Sequence, residues 1–255
     1  MPLWKRRADP QPVVIAGNSH ISSFGVPAKA ASGAIERVPI EGEPGFIGLT
    51  GPSPRQRSYW DELIRMARRQ PVALLWAGNQ HNARFMLPPG PPFDFFCSAR
   101  PDLGVDPAVR LLPESALRAV FQPSLEGLTW LVGELAKVSP LPPVIVGTPP
   151  PKQDNEAIRA MLAREQAFVD IARQLGTDLA SVRMSAPTLR LKLWCVLQQQ
   201  MAQVALEKNV PFCAVPDELV TPEGFLRPEF WVRDATHANL KYGRIMLRAI
   251  ERHLG

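Results

Sequence analysis

A serine, a histidine and an aspartate can together open an ester. The histidine takes the hydroxyl proton and the carboxylate steadies the imidazolium that forms. This chain carries those residue types near its two ends. Near the N-terminus, Gly17-Asn18-Ser19-His20 follows a short apolar run, where a tight turn can expose the Ser19 hydroxyl. Near the C-terminus stands Asp234-Ala235-Thr236-His237-Ala238-Asn239, followed by Tyr242-Gly243. Asp234 and His237, three apart, can face one pocket, the carboxylate fixing the tautomer of the ring. Two segments between them offer donors for a developing oxyanion. Gly48-Leu49-Thr50-Gly51 could present the Gly51 backbone N–H, and Leu75-Trp76-Ala77-Gly78-Asn79-Gln80 the Asn79 side-chain amide.

Each group also has an ordinary role. Ser19 could cap a helix, Gly51 could loosen a turn, Asn79 could cap one, and Asp234 could cap the last helix with His237 at the surface. A metal site is a different chemistry for the same region, since His20, His81 and His237 all follow apolar runs or precede the last helix, with Asp234 nearby. Imidazole and carboxylate suit zinc or iron. No His-x-His or His-x-Asp pair anchors such a site, however, and the count of cofactors and metals expected is none.

Positioning these groups requires strands that end at one edge. Apolar runs stand at 12–17, 71–77, 143–148 and 211–215, each bounded by Pro, Gly, Asn or charge, as strands buried on both faces are. A fifth run, 36–40, contains Pro39 and suits an edge. Between them, 56–69, 154–175, 189–205 and 240–254 read as helices, with apolar residues at helical spacing. Alternating strands and helices predict an α/β fold: a three-layer α/β/α sandwich around a mainly parallel, five-stranded sheet. Ligands in such sheets bind beyond the carboxyl ends of the strands, where all four segments lie.

The ordered set Ser19, Gly51, Asn79, His237 resembles the blocks that name the SGNH (GDSL-like) hydrolases, over nearly the whole chain. Asp234-x-x-His237-x-Asn239 with the following Tyr242-Gly243 is its most specific part. Two positions depart from the family pattern: Asn18 stands where Gly-Asp-Ser has its aspartate, and Ala77-Gly-Asn-Gln80 replaces Gly-x-Asn-Asp. The resemblance implies a flavodoxin-like sandwich and a serine esterase or deacylase acting on a small O-acyl ester, with acetylated carbohydrate the leading substrate class. Ser19, His237 and Asp234 would be the triad, and Ser19, Gly51 and Asn79 the oxyanion donors. An O-acyltransferase on the same site and a non-catalytic, glycan-binding protein of this fold stay open.

Composition bounds the rest. At 255 residues, 45% of them hydrophobic, the chain can bury the core of one domain spanning 1–255. Residues 1–11 read as a flexible extension, and the Pro-rich stretch 84–109 as a long loop on the side of the site. The net charge of +5 comes with no interleaving of basic and aromatic residues, so no nucleic-acid partner is expected. No apolar run approaches membrane-spanning length, and no secretory leader is evident, so a cytoplasmic location and no membrane partner are expected; the partner that the resemblance implies is a small-molecule acyl ester. Cys97, Cys195 and Cys213, odd in number and far apart, do not suggest disulfides. Trp76, Trp130 and Trp194 sit in apolar segments and read as core. Nothing in the sequence specifies an oligomeric state.

Overall fold

Residues 11–54, 56–76 and 82–254 are described by the structure, a computed structural model. Almost all of the expected N-terminal extension therefore lies outside the described residues. In chain order the elements are β1 (Val13–Gly17), a 3₁₀ turn (Ser19–Phe24), β2 (Glu36–Pro39), β3 (Phe46–Thr50), α1 (Arg57–Ala67) and β4 (Val72–Leu75). There follow α2 (Ala83–Met86), β5 (Phe93–Asp94), β6 (Arg110–Leu111), α3 (Glu114–Val138) and β7 (Val144–Val146). The chain closes with α4 (Asn155–Leu162), α5 (Gln166–Gln174), α6 (Pro187–Glu207), β8 (Phe212–Cys213) and α7 (Leu240–Leu254).

The main sheet runs β2-β3-β1-β4-β7-β8. Every neighbouring pair in it is parallel except β2 with β3. All five expected runs became strands, and the antiparallel one is the Pro39-bearing edge. The sixth strand, Phe46–Thr50, is additional to the five runs and makes the sheet six-stranded, not five-stranded. Gly48 disguised it by breaking the apolar run. In the fold that glycine is a close approach, because a Cβ there would stand 2.3 Å from the Val26 side chain.

Both faces of the sheet are buried, which explains the unbroken apolar runs. Val14, Ala16, Val72, Leu74 and Ile145 point into a core made with α1, α3 and α6. Ile15, Ala73, Leu75, Val144 and Val146 point the other way, against the 3₁₀ turn and α7. The period-2 alternation thus assigns successive residues to two different cores. The α/β sandwich with a mainly parallel sheet is the fold expected.

Three expectations need correction. The longest helix, α3, was not anticipated, since Pro123, Gly127 and Gly133 punctuate it. The helix expected over 154–175 is two, broken between Leu162 and Gln166, with Glu165 immediately ahead of the second. Trp130 is not core: it is 38% exposed, with the Arg57 guanidinium 4.4 Å from its ring centroid. Among the described residues, no helix is long and apolar enough to cross a membrane. All three cysteines are free and buried.

Candidate active site

Ser19 is the first residue of the 3₁₀ turn that leaves the carboxyl end of β1. The turn begins at a glycine because nothing else fits. Gly17 has φ of +150°, and a Cβ on it would lie 2.1 Å from the Leu75 carbonyl oxygen of β4. Its neighbour Asn18 fastens the same junction, its backbone N–H donating to Leu75 O at 2.9 Å and its side-chain amide donating to Trp76 O. This answers the departure from aspartate: the position needs a donor, which a carboxylate does not have. On the other flank, the buried Tyr59 hydroxyl accepts the Gly17 N–H at 3.0 Å and donates to Leu49 O at 2.9 Å. Burial pushes the Tyr59 phenol well above its ordinary range, against the opposing pull of the Gly17 hydrogen bond. The phenol therefore stays protonated as a pin between β1 and β3.

The Asp234–His237 turn arrives from the far end of the chain. Asp234 Oδ1 accepts the backbone N–H of Thr236 at 2.9 Å and of His237 at 2.8 Å, and Oδ2 stands 3.0 Å from His237 Nδ1. Burial by itself would raise the Asp234 carboxyl. The hydrogen bonds from His237 and Thr236 outweigh it and hold the group well below the usual carboxylate range. The other ring nitrogen, His237 Nε2, lies 2.9 Å from Ser19 Oγ. The three side chains thus form one line across a half-buried site, and the carboxylate dictates that Nδ1 carries the proton and Nε2 faces the hydroxyl as acceptor.

Asp234 does not cap the last helix. Asn239 does that, its Oδ1 accepting the N–H of Lys241 at 3.0 Å and of Tyr242 at 3.2 Å. Its amide nitrogen donates back to Glu229 O and Trp231 O, so Asn239 ties the turn to α7 as expected of a supporting residue.

The other named residues fall as follows. Gly51 is buried one step past β3, beside the end of β1 as the parallel register requires, and its carbonyl accepts the Ala30 N–H at 3.0 Å. Asn79, Gln80 and His81 lie outside the described residues. His20 is buried with its ring centroid 4.8 Å from that of His237. Among the described residues, no group of three His, Cys, Asp or Glu side chains is arranged to hold a metal ion. Both nitrogens of His237 already face Asp234 and Ser19.

Sequence reasoning missed two residues behind the turn, Lys152 and Arg190, both fully buried. Burial lowers Lys152 to about 8, opposed by the Asp234 and Glu165 carboxylates, and lowers Arg190 to about 10. A lysine or arginine is ordinarily solvent-exposed, and burial is not written in a residue type.

No family model matches the chain, and no curated protein matches it in sequence. Solved structures do. One variant of Axe2, an acetyl-xylooligosaccharide esterase from Geobacillus stearothermophilus, is 12% identical over 96% of this chain and 94% of its own, with a TM-score of 0.50. A second variant of the same esterase is 11% identical over the same shares, with a TM-score of 0.51. At that identity the likeness is one of fold, and it extends over nearly the whole length of both chains.

Proposed function

We propose that this protein is a serine esterase that removes a small acyl group from a hydroxylated substrate. The observation that carries the reading is the unbroken line Ser19 Oγ–His237 Nε2–Asp234 at 2.9 and 3.0 Å, set at the carboxyl edge of a parallel sheet. His237 takes the Ser19 proton as Oγ attacks the ester carbonyl, and Asp234 stabilises the imidazolium. The backbone N–H groups of Ser19 and Gly51 and the Asn79 amide are the proposed oxyanion donors. His237 then returns the proton to the leaving alcohol, and water frees the acyl group by the same steps.

Acetylated carbohydrate is the substrate class we favour, because the structural neighbours are named as acetyl-xylooligosaccharide esterases. Residues 84–109 are the proposed substrate-side segment of a single domain. Met86 and Leu87 at its start share an apolar cluster with Ala235, the residue after Asp234, which supports that side. The segment then borders a cavity of about 240 Å³ that Arg183 and Thr188 also line.

The test is hydrolysis of 4-nitrophenyl acetate and of acetylated xylo-oligosaccharide by wild type and Ser19→Ala. Turnover by wild type that disappears in Ser19→Ala is expected. Equal turnover by both proteins would overturn the reading.

A further inference from the structure

Charged side chains are rarely taken wholly into a protein without a carboxylate to meet them. Here two cations are, one behind the other, beneath the Asp234–His237 turn. Arg190 of α6 meets only uncharged oxygens among the described residues: Ser185 O at 2.6 Å, Asn155 Oδ1 at 2.7 Å and the Lys152 carbonyl at 3.3 Å. Lys152, on the segment after β7, in turn directs its ammonium at the backbone of the turn. It donates to Val232 O at 2.9 Å and to Asp234 O, with Met161 Sδ at 3.9 Å as its third neighbour. The chain Arg190, Lys152, Asp234, His237, Ser19 is therefore continuous, each link being a hydrogen bond.

We propose that Lys152 is a positioning residue for the reaction: by fixing the carbonyls of Val232 and Asp234, it holds the Asp234 carboxylate where it orients His237 towards Ser19. The inference rests on the triad reading above. Its second support is what the turn otherwise has. Asp234 and Asn239 grip the turn from within its own stretch of chain; from elsewhere in the chain Glu165 does so, its Oε1 accepting the Ala235 N–H at 3.3 Å. An ammonium donating to two carbonyls makes charge-assisted bonds, stronger than neutral ones. A neutral residue of the same length would leave both carbonyls unmet.

The positive charge facing Asp234 also has an effect of opposite sign. It makes the imidazolium harder to form, so losing the charge alone would strengthen His237 as a base. Losing position would weaken catalysis instead. The two roles therefore move kcat in opposite directions. The charged groups around Lys152 are Asp234 on the turn, Glu165 ahead of α5 and Arg190 on α6; Met161 of α4 and Trp231 are its uncharged neighbours. Burial having brought Lys152 down to about 8, its charge is lost within the range where the enzyme can be assayed.

The experiment measures kcat and KM for 4-nitrophenyl acetate from about pH 6 to about pH 9.5 for wild type, Lys152→Met, Lys152→Arg and Ser19→Ala, with melting curves on the same samples. Lys152→Met should lose up to about a hundredfold in kcat with KM within about twofold, the signature of a misplaced catalytic group. Lys152→Arg, whose guanidinium can still donate to both carbonyls, should keep most of the kcat that Lys152→Met loses, and wild type should hold its kcat as the Lys152 charge is lost near pH 8, because the neutral amine keeps two N–H donors. Wild-type kcat in Lys152→Met, a raised kcat, or a loss confined to KM would overturn the proposal. If Lys152→Met does not fold, Lys152→Gln, too short to reach both carbonyls, is measured in its place, and wild-type kcat in it overturns the proposal equally. Turnover surviving in Ser19→Ala would instead strike the triad reading itself, whatever Lys152 does.

Discussion

Gly243 of α7 sits so close to Ser23 that a Cβ on it would lie 1.9 Å from the Ser23 carbonyl oxygen and 2.6 Å from its carbon. This is backbone against backbone, and no rotamer change relieves it. The contact seats α7, which begins three residues after His237, directly on the 3₁₀ turn that begins with Ser19. Gly243→Ala should therefore push base and nucleophile apart. We expect a loss of about 1–3 kcal/mol in stability from overpacking, together with a fall in kcat larger than the stability change accounts for. Urea unfolding and steady-state kinetics on the same preparation check both. Unchanged kcat would mean that the seat does not set the Ser19–His237 distance.

Asp234→Asn keeps the shape of the side chain but offers an amide where two N–H groups and the His237 ring ask for oxygens. Turnover should fall by roughly 10³–10⁴-fold as the imidazole tautomer is lost. The depressed carboxyl also makes a pH prediction. Folded Asp234 holds its proton less tightly than the unfolded chain does, so its contribution to stability is full above the ordinary carboxylate value of about 3.9 and is lost as pH falls below it. The stability gap between wild type and Asp234→Asn should be constant near neutrality and shrink towards about pH 3. A gap independent of pH would show that the carboxylate charge is not what the turn uses.

Asn18→Asp restores the aspartate common in the resembled family, and here it should harm the protein. The amide donates to the Trp76 carbonyl; a carboxylate would place an anion against that oxygen. A destabilisation of about 1–3 kcal/mol at neutral pH is expected, easing in acid as the new carboxyl gains a proton to donate. Denaturant melts at two pH values suffice to check this. A stabilised Asn18→Asp would mean that the junction of β1 and β4 is held in some other way.

Tyr59 and Tyr242 are the only tyrosines, and burial drives both phenols upward. Spectrophotometric titration of the folded protein should show no tyrosinate step near pH 10, whereas the unfolded chain should show both residues ionising there. Removing the Tyr59 hydroxyl strands the Gly17 N–H and the Leu49 carbonyl in the interior, so Tyr59→Phe should cost about 1–3 kcal/mol. A free tyrosine titrating near pH 10 in the native state would contradict this arrangement.

How far the sequence carried depended on whether a residue's neighbours in the chain are also its neighbours in space. Asp234, His237 and Asn239 were legible because one turn contains all their mutual contacts. Ser19 was legible because Gly17 and the apolar run before it announce a strand end. The helix 240–254 was read to the residue, its apolar positions falling cleanly on one face. The long helix α3 was not, because Gly127 looks like a breaker until Trp76 is seen to need its space: a Cβ there would stand 2.7 Å from the ring. Lys152, Arg190 and Lys192 were invisible for a different reason. In the stretch Leu189-Arg190-Leu191-Lys192-Leu193 alternate charge suggests a wet face, yet every one of these residues is buried. Lys192 is satisfied by Asp94 at 2.8 Å, a residue 98 positions away, and Arg190 in part by the Lys152 carbonyl and Asn155 Oδ1, 38 and 35 positions away. Only tertiary structure supplies those partners.

The Ser19–His237 hydrogen bond spans 218 positions, nearly the length of the chain. During synthesis Ser19 emerges 218 residues before His237. At about 5–20 residues per second, the ribosome delays their meeting by on the order of 10–40 s. Within that interval β1, β3 and β4 can pair, but a chain stalled or cut anywhere before His237 leaves Ser19 without its hydrogen-bond partner. The three side chains can therefore meet only after the Asp234–His237 turn has been made.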